Sequence, residues 1–143
     1  MPNHWIVTCN PNRWGFFDFL AKGNKVTDIE SWSVATRFDQ VAKGDDLALW
    51  VTGPKRGVYA VGTVRGPPSL DTGDEHWVDP ADAAKQRRFL PIKLTTDLTS
   101  NPLMGVDLKA DPRFAAATVI TFPRGGNPHK LDDLQWQVIA DRL

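Results

Sequence analysis

This chain of 143 residues contains six tryptophans but only one tyrosine. The number and spacing of the tryptophans suggest a binding site for a planar ring. An indole ring is a flat apolar plane on which a nucleobase can stack, at about 1–3 kcal/mol per base. A site for an unstacked base also needs polar groups for the base edge and cations for the phosphates. The sequence offers Trp14, Trp32 and Trp50 as planes, and Asn10 and Ser33 as polar partners of the edge.

Each of these assignments has a structural alternative that composition leaves open. A tryptophan can equally fill a core if its indole N–H finds a partner, and Trp50 lies in a strand-like run where it can face either side. Asn10 can act only as a helix cap. We expect Trp5 and Trp136 to be core residues, and Trp77 either to cover a pocket or to hold its loop in place.

The candidate phosphate ligands are cations close to these residues. Lys55, Arg56 and Arg124 can reach phosphate, whereas Arg37 can serve either a phosphate or a loop carbonyl. The 17 Lys and Arg residues balance 17 Asp and Glu residues. This balance does not exclude nucleic acid, because a local basic patch is sufficient for binding.

Other kinds of chemistry have little support in the sequence. His4, His76 and His129 are far apart and lack the spacing of metal ligands. Cys9 would be a nucleophile only if a histidine folded beside it, and a lone cysteine in a strand is more typical of a small buried side chain. The stretch "PRGGNP" at 123–128 lacks the strand–loop–helix arrangement of a phosphate loop. We therefore predict a protein that is not an enzyme and has no catalytic residue, metal or cofactor.

Length and composition predict one domain over residues 1–143. Hydrophobic residues make up 41% of the chain, enough for a packed core, and the single cysteine excludes an intramolecular disulfide. No signal peptide is evident, and the longest apolar run, "LALWV", is far too short for a membrane span. These features predict a soluble, cytoplasmic protein without a membrane partner.

Hydrophobic alternation and turn signals predict more strands than helices. Extended segments are expected at 4–10, "IESWSVATR", 47–53, 57–64, "RRFLPIKLTTDL" and "ATVITFP". The turn "GPKRG" joins the third and fourth of these as a hairpin. Pro91 in the fifth suggests an edge or a bulge. The order predicts an α+β fold with a curled, mostly antiparallel sheet flanked by short helices.

Helical segments are expected in five places. They are a short helix beginning after Asn10-Pro11, a helical turn in "FDQVAKGDD", a helical turn in "ADAAKQRR", a connector in "NPLMGVDLKADPRFAAA" and a closing helix in "KLDDLQWQVIADRL". Asp132 and Gln135 resemble a capping box for the closing helix. Its predicted apolar stripe consists of Leu131, Leu134, Val138 and Ile139.

Three stretches together resemble the EVE domain of the PUA-like superfamily. They are "HWIVTCNP" with the tryptophan that follows it, "WSVATRFDQVAKGDDLALWVTGPKRGVYAVGTV", and the closing "LDDLQWQVI". The middle stretch is the most specific, with a tryptophan near an arginine, a Gly-Asp turn, an aromatic strand and a glycine turn. The resemblance covers nearly the whole chain and implies a PUA-like pseudo-β-barrel.

The related YTH domain holds methylated adenine of RNA in an aromatic cage whose first tryptophan is followed by serine. By this resemblance Trp32 is a cage wall, and the backbone of Ser33 faces the polar edge of the base. Asn10-Pro11 and Trp14 would form the opposite rim. The second wall or floor would come from the end of the third strand: Trp50, Val51, Thr52 and Gly53.

The resemblance implies a module that reads a modified base in DNA, such as methylated or hydroxymethylated cytosine or methylated adenine. An RNA-binding role in the manner of PUA and YTH domains is one alternative. Hydrolysis of modified nucleosides, as in ASCH-type relatives, is another. On this interpretation, Trp32→Ala is expected to abolish the preference for a modified base and to leave the fold intact.

Overall fold

Residues 2–143, which a computed structural model describes, form eight strands, five short α-helices and a 3₁₀-helical turn at Val26–Asp28. The strands are β1 His4–Cys9, β2 Ser31–Val34, β3 Asp46–Val51, β4 Gly57–Val64, β5 Ser69–Asp71, β6 Arg87–Asp97, β7 Leu103–Met104 and β8 His129–Leu131. The helices are α1 Phe16–Ala21, α2 Pro80–Ala84, α3 Gly105–Ala110, α4 Thr118–Thr121 and α5 Asp133–Ala140. Within this part of the chain, no helix is long and apolar enough to cross a membrane.

The strands form one curled sheet in the order β2-β6-β4-β3-β1-β8, with β5 added to β6 and β7 added to β4. Every pairing is antiparallel except that of β1 with β3. The 11-residue β6 joins the two halves, because residues 87–91 pair with β2 or β5 and residues 92–97 pair with β4. Pro91 lies where the partner changes, at a point where a missing N–H is tolerated. The predicted α+β fold with a mostly antiparallel sheet is confirmed.

The alternation of side chains along the sheet divides the core into two clusters. On β1, Trp5, Val7 and Cys9 point into the interior of the curled sheet, which α1 covers. Ile6 points to the opposite face, where it packs with side chains from α3 and α5. Because successive residues of a strand face opposite sides, the same alternation decides where each residue of β3 lies.

Two predicted elements are confirmed in detail. The hairpin forms from β3 and β4. The capping box of α5 forms as well, with the Gln135 N–H donating to Asp132 Oδ1 at 2.7 Å and the Asp132 N–H donating to Gln135 Oε1 at 3.0 Å. The predicted apolar stripe is partly wrong, because Leu134 is 64% exposed and Leu131 belongs to β8.

Other predicted elements differ from the structure. The stretch "ATVITFP" forms α4 rather than a strand, with the Thr121 N–H donating to the Ala117 carbonyl at 3.0 Å. Its β-branched residues favour a strand, but packing of Val119 in the second core cluster outweighs that preference. The chain turns after Asn10, and α1 begins only at Phe16. The segment 38–45 contains turns rather than a helix.

Asp45 fixes the start of β3 through three hydrogen bonds in a nearly solvent-free site. Its carboxylate accepts the Asn3 N–H at 3.0 Å, the Trp5 indole N–H at 2.9 Å and the Ala42 N–H at 2.9 Å. The side chain of Trp5 is fully buried, so its indole donor has no access to water. The prediction that Trp5 is a core residue is confirmed, and Asp45 is the partner that its burial requires.

Asp45→Asn is expected to lower the free energy of unfolding by about 1.5–3 kcal/mol, because the amide group turns an N–H toward a neighbouring N–H donor. Urea denaturation measures the change. The matched control is Asp39→Asn, since Asp39 is exposed and makes no side-chain hydrogen bond within residues 2–143. Equal stability of the two variants would contradict the role assigned to Asp45.

Candidate functional site

A cavity of about 800 Å³ opens beside the first core cluster. Its wall comes from the end of β1, the whole of β2 and the start of β6. The loops 74–77 and 123–127 complete it. This volume lies within the range of small-molecule sites. We call residues 123–127 the cavity strap.

Trp14 and Trp32 form an aromatic corner of the cavity. Their ring centroids are 5.1 Å apart and the ring planes meet at 68°. The Trp32 indole N–H donates to the Thr8 carbonyl at 3.0 Å, and that of Trp14 donates to Asp74 Oδ1 at 3.1 Å. Each ring is therefore held by a hydrogen bond as well as by packing. The arrangement offers a planar ligand a corner rather than a parallel slot.

Trp32 is at once a core residue and a cavity wall. It is only 6% exposed and belongs to the first core cluster, yet it also lines the cavity. Removing a buried aromatic side chain costs about 3–5 kcal/mol. The expectation that Trp32→Ala leaves the fold intact is therefore replaced by an expected loss of stability.

The loop 74–77 closes one side of the cavity through backbone pairing with the segment before α1. The Gly15 N–H donates to the His76 carbonyl at 2.8 Å, and the Val78 N–H donates to the Arg13 carbonyl at 2.8 Å. The Arg87 guanidinium lies over the Trp77 ring, 4.4 Å from its centroid. Trp77 thus both lines the cavity and fixes its loop, the two roles that the sequence left open.

Charges of opposite sign lie at the two ends of β2. Glu30 precedes the strand, whereas Arg88 pairs with Val34 at its far end, and both line the cavity. Four residues of extended chain span about 13 Å. Arg124 lines the cavity from the strap and makes no ion pair or hydrogen bond with its side chain within residues 2–143. A ligand that carries an anionic group is therefore favoured at the end of β2 near Arg88.

Asn127 attaches the cavity strap to two strands. Its Oδ1 accepts the Thr8 N–H at 3.1 Å, and its Nδ2 donates to the Ser33 carbonyl at 2.9 Å. Its own carbonyl accepts the N–H groups of Ala35 at 2.8 Å and Thr36 at 3.2 Å. These bonds fix the C-terminal end of the strap, which also carries Arg124.

His129 holds the other end of the strap from inside the protein. It is 1% exposed, with Nε2 lying 3.1 Å from the Pro123 carbonyl and Nδ1 2.9 Å from Thr118 Oγ1. A carbonyl only accepts, so the neutral ring carries its proton on Nε2 and accepts from the hydroxyl at Nδ1. Burial lowers the pKa of His129 below its ordinary value, and the charge of Arg37 acts in the same direction.

Cys9 lines the cavity without being available for chemistry. It is 1% exposed, and burial raises the pKa of its thiol to about 12. The thiol is therefore protonated at neutral pH, whereas the thiolate is the nucleophilic form. The interpretation of Cys9 as a small buried side chain is confirmed.

The cavity brings together five of the residues predicted for the site. They are Asn10, Trp14, Trp32, Ser33 and Arg124. The Ser33 carbonyl is already an acceptor for Asn127, so this part of the Ser33 backbone supports the strap.

The predicted second wall from β3 does not form. Trp50 is 2% exposed and packs in the second core cluster, on the face of the sheet opposite the cavity. Alternation along β3 places it there, because Leu49 and Val51 face the first cluster. Trp14, predicted for the rim, is the tryptophan that lines the cavity beside Trp32. The other predicted pocket residues outside the cavity wall are Pro11, Val51, Thr52 and Gly53.

Three of the predicted phosphate ligands also lie outside the cavity wall. Lys55 and Arg56 are exposed in the β3–β4 turn, where the Lys55 ammonium lies 5.2 Å from the centroid of Phe17. Arg37 donates to the Pro128 carbonyl at 3.4 Å, which supports its alternative role as a partner of a loop carbonyl.

Sequence reasoning missed Asn127, Arg88 and the closing role of the strap. Asn127 bonds to residues 119 and 94 positions away, so no local pattern could indicate its partners. The local signal is "PRGGNP", a turn-forming stretch between two apolar segments.

Asn127→Asp is expected to lower the free energy of unfolding by about 1–3 kcal/mol, because a carboxylate oxygen replaces the donor to the Ser33 carbonyl. Asp keeps the shape of Asn and still accepts the Thr8 N–H. Chemical denaturation measures the loss. Asn101→Asp is the control, since Asn101 is exposed and its side chain makes no hydrogen bond within the described residues. A loss no larger than that of the control would refute the assignment.

Acidification is expected to destabilise the protein through His129. Because its folded pKa lies below the ordinary value of 6.5, the unfolded chain binds more protons in this range. The stability that the neutral ring provides is therefore complete above pH 6.5 and is lost as the pH falls toward the folded pKa. Denaturation at a series of pH values for the wild type and His129→Gln measures the difference, and parallel profiles below pH 6.5 would contradict it.

Solved structures share this architecture at low sequence identity. A hypothetical protein from Leishmania major has a TM-score of 0.69 and 14% identity, covering 99% of this chain and 94% of that one. The human THYN1 protein, in complex with 5-methylcytosine containing DNA, has a TM-score of 0.62 and 11% identity, covering 98% and 96%. A variant of the ASCH protein from Zymomonas mobilis has a TM-score of 0.59 and 12% identity, covering 96% of each chain. No curated protein matches the sequence significantly.

These similarities show the fold, which is the PUA-like pseudo-barrel that the resemblance to the EVE domain implies. The family comparison is more specific, because the model of the EVE domain matches residues 3–142. That match covers both core clusters, the aromatic corner and the cavity strap. The chain belongs to the EVE domain family.

Proposed function

We propose that this protein binds nucleic acid, with DNA favoured over RNA, and holds one modified base in the cavity beside Trp14 and Trp32. The observation that carries the proposal is the aromatic corner inside an 800 Å³ cavity that also has arginines in its wall. A base stacked on one ring would turn its edge toward the other. Arg88 and Arg124 would then meet the backbone phosphates outside the cavity.

The comparison with THYN1 supports the class of ligand. That protein's structure is in complex with 5-methylcytosine containing DNA, and it shares the fold over 98% of this chain. A methyl group contributes about 0.8 kcal/mol when buried, so close fit in the cavity must supply much of the discrimination. The candidate bases are methylated or hydroxymethylated cytosine and methylated adenine.

Binding is favoured over hydrolysis by what lines the cavity. The hydrolase alternative would gain support from a lysine and a carboxylate together inside the pocket. Asp28, Glu30, Asp74 and Glu75 line the cavity, but no lysine does so within residues 2–143. The thiol of Cys9 is also poorly suited to attack, since its pKa is about 12.

Fluorescence anisotropy with a set of oligonucleotides tests the proposal. The set contains unmodified, methylcytosine, hydroxymethylcytosine and methyladenine versions, each as DNA and as RNA, at two salt concentrations. We expect one modified DNA to bind most tightly and its affinity to fall as salt rises. Equal binding to all members, or none, would refute a modified-base reader, and preference for RNA would favour the RNA-binding alternative.

Trp32→Phe is expected to weaken that binding about fivefold, roughly 1 kcal/mol at the lower end of a base–aromatic stack. Phenylalanine keeps an aromatic face but loses part of the stacking area and the hydrogen bond to the Thr8 carbonyl. The same oligonucleotides provide the measurement.

The matched control is Trp136→Phe. Trp136 stacks on His4 with a centroid distance of 5.3 Å and does not line the cavity. If both variants weaken binding equally, the cavity is not where the base is held.

A further inference from the structure

The turn that includes the cavity strap also carries an aromatic side chain that the fold leaves in solvent. Phe122 follows α4 and is 65% exposed. It immediately precedes Pro123, and all five residues of the strap line the cavity. The other large apolar side chains that are strongly exposed in residues 2–143 are aliphatic. Isolated exposed apolar residues are common, so its place beside the cavity distinguishes Phe122.

The Phe122 ring has a defined position despite its exposure. The Gly125 N–H donates to the Phe122 carbonyl at 2.9 Å, and the Phe122 N–H donates to the Thr118 carbonyl at 2.8 Å. A side chain at Gly125 would collide with the ring, so the ring lies directly against this glycine. Because Gly125 lines the cavity, the ring lies against the cavity wall, although Phe122 is not itself a lining residue.

The turn as a whole is anchored at both ends. The Pro123 carbonyl is bonded to buried His129, and Asn127 is bonded to β1 and β2. Arg124 extends from the same turn, two residues beyond Phe122. An apolar ring and a cation are thus presented together on a fixed support.

Removing a base from a duplex leaves a gap in the stack. Proteins that distort duplexes often fill such a gap with an apolar side chain, because unstacking costs a few kcal/mol per step. We propose that Phe122 inserts into the gap when a base of duplex DNA enters the cavity, while Arg124 contacts a phosphate beside it. This proposal rests on the proposed function and extends it to a duplex partner.

A single strand, unlike a duplex, has no gap between stacked base pairs for Phe122 to fill. Substitution of Phe122 should therefore change the ratio of duplex to single-strand affinity. Phe122→Ala is expected to lower this ratio about tenfold or more, given the unstacking cost of a few kcal/mol. Phe122→Leu, which keeps an apolar wedge, is expected to restore most of the ratio.

The experiment measures anisotropy with the preferred modified oligonucleotide as a single strand and as a duplex. 2-Aminopurine next to the modified base reports unstacking through its increase in fluorescence. Leu134→Ala is the control, because Leu134 is similarly exposed at 64% but lies on α5 and does not line the cavity. Thermal denaturation of each variant verifies that the fold is retained.

The outcomes test the insertion of Phe122 separately from the proposed binding of a base in the cavity. A lower ratio for Phe122→Ala, with loss of the 2-aminopurine signal and no change for Leu134→Ala, supports the wedge. An unchanged ratio, or an equal loss on both forms, overturns it. If the wild type binds neither form, the proposed function fails and the wedge fails with it.

Discussion

The structure depends on the hydrogen-bond partners of three buried indole N–H groups. Trp5 donates to Asp45, Trp32 to the Thr8 carbonyl and Trp14 to Asp74. An indole left unpaired in the interior would lose the free energy of a hydrogen bond to water without compensation. Each bond therefore selects where a loop or strand lies: the first holds the start of β3, the second joins β2 to β1, and the third draws the loop 74–77 over the cavity.

The same bonds explain why the core and the candidate site are continuous. The rings of Trp14 and Trp32 pack among buried side chains and still form the cavity corner, so the site is built from the rigid part of the fold. Sites held by such packing need little rearrangement when a ligand arrives. The arginines supply the charged part of the surface around this fixed corner. If the proposed function holds, the rigid corner would recognise the shape of the base and the arginines of the cavity wall would attract the nucleic-acid backbone.

Local sequence patterns were sufficient to predict several elements of the fold but not the whole candidate site. The hairpin and the capping box of α5 are encoded within a few residues, and both were predicted correctly. Trp50 was misplaced because β3 is apolar on both faces, so alternation gives no sign of which face is the interior. Asn127 was missed because its partners are distant in sequence. The prediction of a strand in "ATVITFP" was wrong because packing in the second core cluster outweighs the β-branched composition of this segment, which forms α4.

The pairing of β1 with β8 has a consequence for synthesis on the ribosome. His4 pairs with Leu131, and the Thr8 N–H donates to Asn127. The pairing of β1 on this edge therefore forms only after residues 127–131 have been synthesised. At 5–20 residues per second, about 6–25 s pass between the emergence of the two strands. During that time one edge of β1 is open to other strands. Because the strap is made late, nascent chains that are released early contain both tryptophans of the corner but no completed cavity.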